Sequence, residues 1–179
     1  NKLNVGIMAK WKAVVDQATR EAMANKIPNE IREYTKNGNG SLNLERARVV
    51  WTYMRLKNEF PTSIAELTTA PSTTGLVVNG YTMPKRTIFN SVTGGTPEEQ
   101  SAALLYASLV KGGVGGTTFD ADPLRNQTKQ TATGIPYFVD TWGKPIIFLR
   151  MAFTPELDDV NQPSLPKSGI NSKDPIDPK

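Results

Sequence analysis

Apolar positions at the front of the chain recur with helical spacing. Within "LNVGIMAKWKAVVDQATREAMA", residues 3–24, Leu3, Ile7, Trp11, Val14, Ala18 and Ala22 share one stripe, since residues three and four apart are neighbours on a helix face. Met8 and Val15 widen the stripe, while Lys10, Lys12, Asp16, Gln17 and Arg20 face elsewhere. Gly6 is the weak point, at a cost of about 1 kcal/mol against Ala in a helix interior. Pro28 suits the first turn of a short helix in "PNEIREYTK", which "NGNG" ends. The clearest helix follows, Asn43 to Phe60: Asn43 is a cap, Ala47, Val50, Trp51, Met54 and Asn58 keep the period, and Pro61 stops it. "PTSIAEL" then makes a turn and one helical turn with Ile64 and Leu67 inside.

The pattern breaks from Thr68 to Thr96, where Thr, Ser, Gly, Pro and Asn dominate. This reads as a long surface excursion with a short strand at "GLVVNGY". Thr96, Pro97, Glu98 and Glu99 combine a cap, a Pro in the first turn and acids at the positive dipole end. The helix they open runs to Lys111 and stops at Gly112 and Gly113. After the loop "GGVGGTTFDADPLRN" come two β-type runs, "IPYFVD" and "KPIIFLRM", separated by "TWG", which predicts a hairpin. Asp140 bonds its own downstream backbone in such a turn, Gly143 supplies an unusual backbone angle, Trp142 lays an apolar body over sheet or helix, and Pro145 suits the first residue of an edge strand. Beyond Thr154 the chain is rich in Pro, Asp, Ser and Asn.

Composition narrows the chemistry more than any motif does. The 179 residues suffice for one domain with a real core. The net charge of +4 is spread along the chain without a basic cluster, so no nucleic-acid partner is expected. There is no Cys and no His, which removes thiol and His-based catalysis and the usual zinc sites. No apolar run reaches the ~18–20 residues of a membrane span.

Several constellations carry two readings. Asp120, Asp122 and Asn126 offer oxygens to calcium, but the EF-hand spacing fails, with Thr131 where a bidentate Glu belongs; the commoner reading is an Asp-rich turn. "GGVGGTT" lacks the Lys and the following helix of a phosphate loop and reads as a connector. Asp158 with Asp159, or Asp140 with Glu156, are carboxylate pairs only if the fold joins them. Ser101 or Ser108 with Lys111 mimics a Ser-Lys pair by helical spacing alone. Trp11, Trp51 and Trp142 are expected in the core.

Two segments together resemble a family. "DTWGKPIIFLR" resembles the Asp-x-Trp-Gly-x-Pro stretch of type II secretion pseudopilins, the type IV pilin-like proteins. "ERARVVWTYMRLKNEFPTSIAEL" is similar to the other half of that pattern, a helix ending in aromatic-Pro-Thr-Ser before an apolar turn. Their order, with "SAALLYASLV" and an acidic loop between them, resembles the large divergent pilin-like proteins of planctomycetes over about Glu45 to Met151. The resemblance implies an α+β fold, with the N-terminal amphipathic helix packed on a small antiparallel sheet and additional helices and long loops around it. It divides the chain into an N-terminal helix at 1–26, a globular head at 27–153 and an irregular tail at 154–179.

The implied role is a non-enzymatic subunit of a type II secretion pseudopilus or type IV pilus-like filament. Its partners are then other pilin-like subunits and the secretion machinery, with no small-molecule substrate and no cofactor other than the calcium already weighed. The family's apolar anchor, with a methylated N-terminal Phe and a Glu at the fifth position, is not in this sequence. An anchor half preceding Asn1 is therefore expected, holding the head at the periplasmic side of the inner membrane or at the cell surface. Leu3, Ile7, Trp11, Val14 and Ala18 are the expected assembly helix, and Asp140, Trp142, Gly143 and Pro145 the structural turn. The alternative is a small extracytoplasmic module that binds glycan or peptide through the Thr68–Thr96 excursion.

Overall fold

The computed structural model describes residues 2–68, 77–114, 119–120 and 122–150. The carboxylates Glu156, Asp158 and Asp159 and the tail at 154–179 lie outside them.

Helix α1, Lys2–Met23, is the longest element. A turn at Ala24 to Ile27, with Asn25 at positive φ, leads to α2, Asn29–Tyr34, which Pro28 opens. Helix α3 spans Leu44–Glu59; the Asn43 side chain accepts from the Arg46 amide, as an N-cap should, and Phe60 ends the helix before Pro61. A short α4, Ile64–Thr68, follows. Strands β1, Val77–Val78, and β2, Tyr81–Thr82, form a hairpin with Val78 opposite Tyr81. Asn79 and Gly80 both have positive φ (48° and 85°), the geometry a two-residue primed turn requires. The Asn79 amide donates to the Glu30 carbonyl at 3.0 Å and ties this hairpin to α2.

Helix α5, Pro97–Tyr106, starts with a full capping box: the Thr96 hydroxyl accepts from the Glu99 amide and the Glu99 carboxylate accepts from the Thr96 amide. The helix predicted to run on to Lys111 does continue, but as a π-helical turn, Ala107–Lys111. Strands β3, Thr128–Gln130, and β4, Pro136–Phe138, pair antiparallel. The expected hairpin forms in part. "IPYFVD" pairs backward with β3, and across the Asp140 turn it meets "KPIIFLRM" through the Asp140 amide on the Lys144 carbonyl, 2.8 Å, the bridge between Val139 and Pro145, and the Ile146 amide on the Phe138 carbonyl, 3.0 Å.

The fold is therefore α+β, with a long N-terminal helix and two small antiparallel ribbons. Its packing runs in three apolar clusters. Ala18, Ile31, Val50, Trp51 and Met54 join α1, α2 and α3. Leu3, Val14, Leu56, Phe60, Leu105, Leu109 and Phe138 join α1 and α3 to α5 and β4. Leu67, Phe89, Ala103, Leu104, Tyr137 and Val139 fill the far side of α5. β4 alternates between the last two clusters, Phe138 on one side and Tyr137 and Val139 on the other, as period-two side chains must. Helix α1 thus lies chiefly along α3 and reaches the strands through Phe138.

The α1 stripe is rotated from the sequence reading. Its buried positions are Leu3, Gly6, Lys10, Val14 and Ala18, whereas Ile7 and Trp11 pack at its margin and Met8, expected to widen it, is exposed with Val5. Gly6 is explained by this rotation. A Cβ there would run into the Phe119 ring, so glycine lets an aromatic lie directly on the helix backbone.

Candidate functional site

The most unusual chemistry of the protein sits at the C-terminal end of α3. Glu59 is 1% exposed and Lys10 4% exposed, although carboxylates and ammonium groups are rarely buried without partners. Each has one. Lys10 Nζ stands 3.4 Å from Glu59 Oε2, and Arg86 places a guanidinium nitrogen 2.5 Å from Glu59 Oε1. Lys10 also donates to the Ser108 carbonyl, and the Ser108 hydroxyl donates to the Glu59 carbonyl at 2.7 Å. The π-helical turn supplies that carbonyl, and Gly112 just beyond it leaves room for the ammonium: a Cβ there would stand 2.6 Å from Lys10 Nζ. Burial pulls the Lys10 pKa down to about 8, against the opposing pull of Glu59.

A second cluster lies one turn away. Arg150 donates to Glu66 at 2.9 Å and to the Phe60 carbonyl at 2.7 Å. The Thr62 amide and hydroxyl also donate to Glu66, at 3.0 and 2.9 Å. Burial pushes the Glu66 carboxyl up, but Arg150 and the Thr62 donors outweigh it, so its pKa falls below the usual value. Lys57, on the last turn of α3, is lowered to about 8 by burial and then by the Arg150 charge; its ammonium lies over the Tyr53 ring, 5.7 Å from the centroid. Between the clusters runs an aromatic row, Trp11 to Phe60 at 5.7 Å and Phe60 to Phe148 at 5.5 Å. Lys10 and Arg86 pair with Glu59, and Arg150 pairs with Glu66, which makes the end of α3 a clamp joining α1, α4, the π-helical turn and the 146–150 segment.

The turn is built by Asp140. Its Oδ1 accepts from the Trp142 and Lys144 amides at 2.9 and 2.8 Å, its carbonyl accepts from the Gly143 amide at 3.0 Å, and Gly143 has φ +78°. Pro145 follows at the bridge to Val139. Trp142 does not join the core: it is 84% exposed. Three hydrogen bonds to Asp140 fix the backbone of this tight turn, and the indole at its tip points to solvent.

Asp120 and Asp122 spend oxygens locally. Asp120 Oδ1 accepts from the Asp122 amide at 3.0 Å, and Asp122 pairs with Arg125 at 3.1 Å. Asn126 lies in the same 3₁₀ segment, Asp122–Gln127. Among the described residues no three His, Cys, Asp or Glu side chains converge as a metal site would require. An open cleft of about 470 Å³ is lined by Tyr106, Asp122, Arg125, Thr128, Lys129 and Gln130. Leu3, Val14 and Ala18 of the expected assembly helix are buried against the rest of the chain, with Ile7 and Trp11 packed on them. Ser101 and Ser108 are buried, Ser108 with its hydroxyl on Glu59, and Lys111 is exposed.

The sequence reading missed Lys10, Glu59, Arg86, Glu66 and Arg150. One signal was present: Leu3, Ile7, Lys10 and Val14 keep helical spacing, so Lys10 occupied an apolar-stripe position. No described helix is long and apolar enough to cross a membrane. Compared with protein-family models, curated proteins and solved structures, the chain matches none.

Proposed function

We propose that this chain is the globular portion of a non-enzymatic structural subunit of a type II secretion pseudopilus or type IV pilus-like filament. It would be anchored in the inner membrane by an apolar helix segment continuous with α1, with its head in the periplasm or at the cell surface. One observation supports the reading most: the two segments on which the family resemblance rests are bolted together. "EFPTSIAEL" meets "PIIFLR" through the Phe60 and Phe148 rings and through Arg150 on Glu66 and on the Phe60 carbonyl. The resemblance thus follows a single packed unit rather than two scattered matches. Since the α1 stripe is used inside the chain, contact with neighbouring subunits falls to the large apolar positions α1 leaves uncovered, Val5, Met8 and Met23.

The test is to express the natural gene in its own cells, shear surface and periplasmic filaments, and locate the chain by immunogold labelling. Regular labelling along filaments is expected; recovery only as a dispersed monomer would reject the reading. The second reading, a glycan- or peptide-binding module, is favoured by the exposed indole of Trp142 on its rigid turn, because an exposed ring can stack on a sugar. Residues 69–76 of the excursion to which that reading assigned recognition lie outside the described residues.

A further inference from the structure

Among the described residues, none pairs with the outer edge of the residues after the Trp142 turn. Exposure alternates from Ile146 to Arg150, with Ile146, Phe148 and Arg150 turned to the body and Ile147 (52%) and Leu149 (71%) turned outward. The backbone follows the same alternation. The Ile146 amide donates to the Phe138 carbonyl and the Phe148 amide to the Ser101 hydroxyl at 3.4 Å. In an extended chain the amides between them, of Ile147 and Leu149, face the opposite way, and among the described residues no hydrogen bond engages them. Ile147 and Leu149 thus make an apolar ridge beside an open strand edge, with exposed Trp142 on the turn that precedes it, the kind of surface natural proteins cover. Two cations border it, Lys144 and Lys129; both are exposed, and among the described residues neither has an acidic partner. Lys129 Nζ donates to the Gly143 carbonyl at 3.1 Å, and Asp140 spends Oδ1 on the turn amides.

We infer that the occupant of this ridge is the acidic segment 155–160 of the same chain, Pro-Glu-Leu-Asp-Asp-Val. Three arguments select it. From Met151 to Asn161 the sequence holds three acids, Glu156, Asp158 and Asp159, and no base, which complements the two bordering lysines. Leu157 brings an apolar side chain to the outward face of Ile147 and Leu149. The segment also starts in the right place: residues 151–154 are long enough to reverse the chain, and the next six residues in extended form span about 20 Å at roughly 3.3 Å each, enough to run back along 145–150. Added as a strand, it would give the Ile147 and Leu149 amides their partners. This inference is independent of the filament proposal.

The test uses the full chain, whose lack of Cys allows a single nitroxide label at Asn161→Cys. Amide spectra are then recorded with the label active and reduced. Docking predicts loss of the Lys144, Trp142 and Lys129 amide signals, recovery of those signals in high salt, and recovery in the variant E156K/D158K/D159K. Lys144→Glu, which leaves the acidic segment intact, should restore them too. Broadening confined to residues next to 150, or unaltered by salt and charge reversal, would overturn the inference. So would broadening in an unlabelled chain mixed with labelled chain, which would make the occupant a second copy.

Discussion

Lys10 and Glu59 lie inside the protein while Trp142, Ile147 and Leu149 lie outside it, the reverse of where each residue type usually sits. The two regions reach that state for different reasons. At the end of α3 the buried Lys10 and Glu59 meet each other, Arg86 and the Ser108 carbonyl, and glycine at 112 opens the space for the ammonium. On the ridge, apolar side chains stand free although the Asp140 turn behind them is tightly bonded. Removing a buried partner should therefore damage the fold, whereas trimming the ridge should leave the fold alone and change what it binds.

The largest expected effect comes from Glu59→Gln, which leaves Lys10 and Arg86 without their anion. Urea unfolding at neutral pH should show a loss of about 3–5 kcal/mol. Lys10→Met should cost clearly less, because Glu59 keeps Arg86; equal losses would show that the comparison misjudges the pair. Next comes Gly6→Ala. The methyl meets the Phe119 ring, and overpacking of about 1–3 kcal/mol should exceed the helix propensity gained. A stabilised variant by the same assay would contradict this.

The pH dependence is smaller, and its sign is informative. Lys10 and Lys57 titrate near 8 in the folded chain and at about 10.4 when unfolded. Between those values the unfolded state holds more protons, so these groups make stability rise with pH from about 8 to about 10.4. Thermal scans across that window should flatten in K10M/K57M. Glu66, with its lowered pKa, contributes stability that is present above its unfolded value and lost as pH falls through the acid range. At the low end, Trp142→Ala should move stability by no more than about 0.5 kcal/mol, measured by the same denaturation. Calcium should move the melting midpoint least, with no difference between calcium and chelator, since Asp122 is already paired with Arg125.

What the sequence made legible was local. Asn43 and Pro61 bracket α3, Thr96 with Glu99 opens α5, and Asp140 with Gly143 makes a turn, because each of these acts through neighbours a few residues away. What stayed hidden depended on distant partners. Lys10 is buried because Glu59 and the Ser108 carbonyl, far along the chain, accept it, and a charged residue on an apolar stripe reads as surface until that acceptor is known. Trp142 reads as core from its type alone, yet the short turn that holds its backbone leaves no body for the ring to lie against. β4 pairs with β3 on one edge and bonds the following run on the other, and the β3 partner, separated from it by a turn at 131–135, was not marked by any local signal.

The most direct test of the structural-subunit account uses the same absence of Cys. Val5→Cys and Met8→Cys chains, produced from the natural gene in its own cells, would be treated with a short thiol cross-linker while the cells are intact. The account predicts covalent dimers of the chain or adducts with like subunits from these positions, with none from an exposed position on another face such as Asn90→Cys. Monomer alone at Val5 and Met8 in chains that fold normally would contradict it.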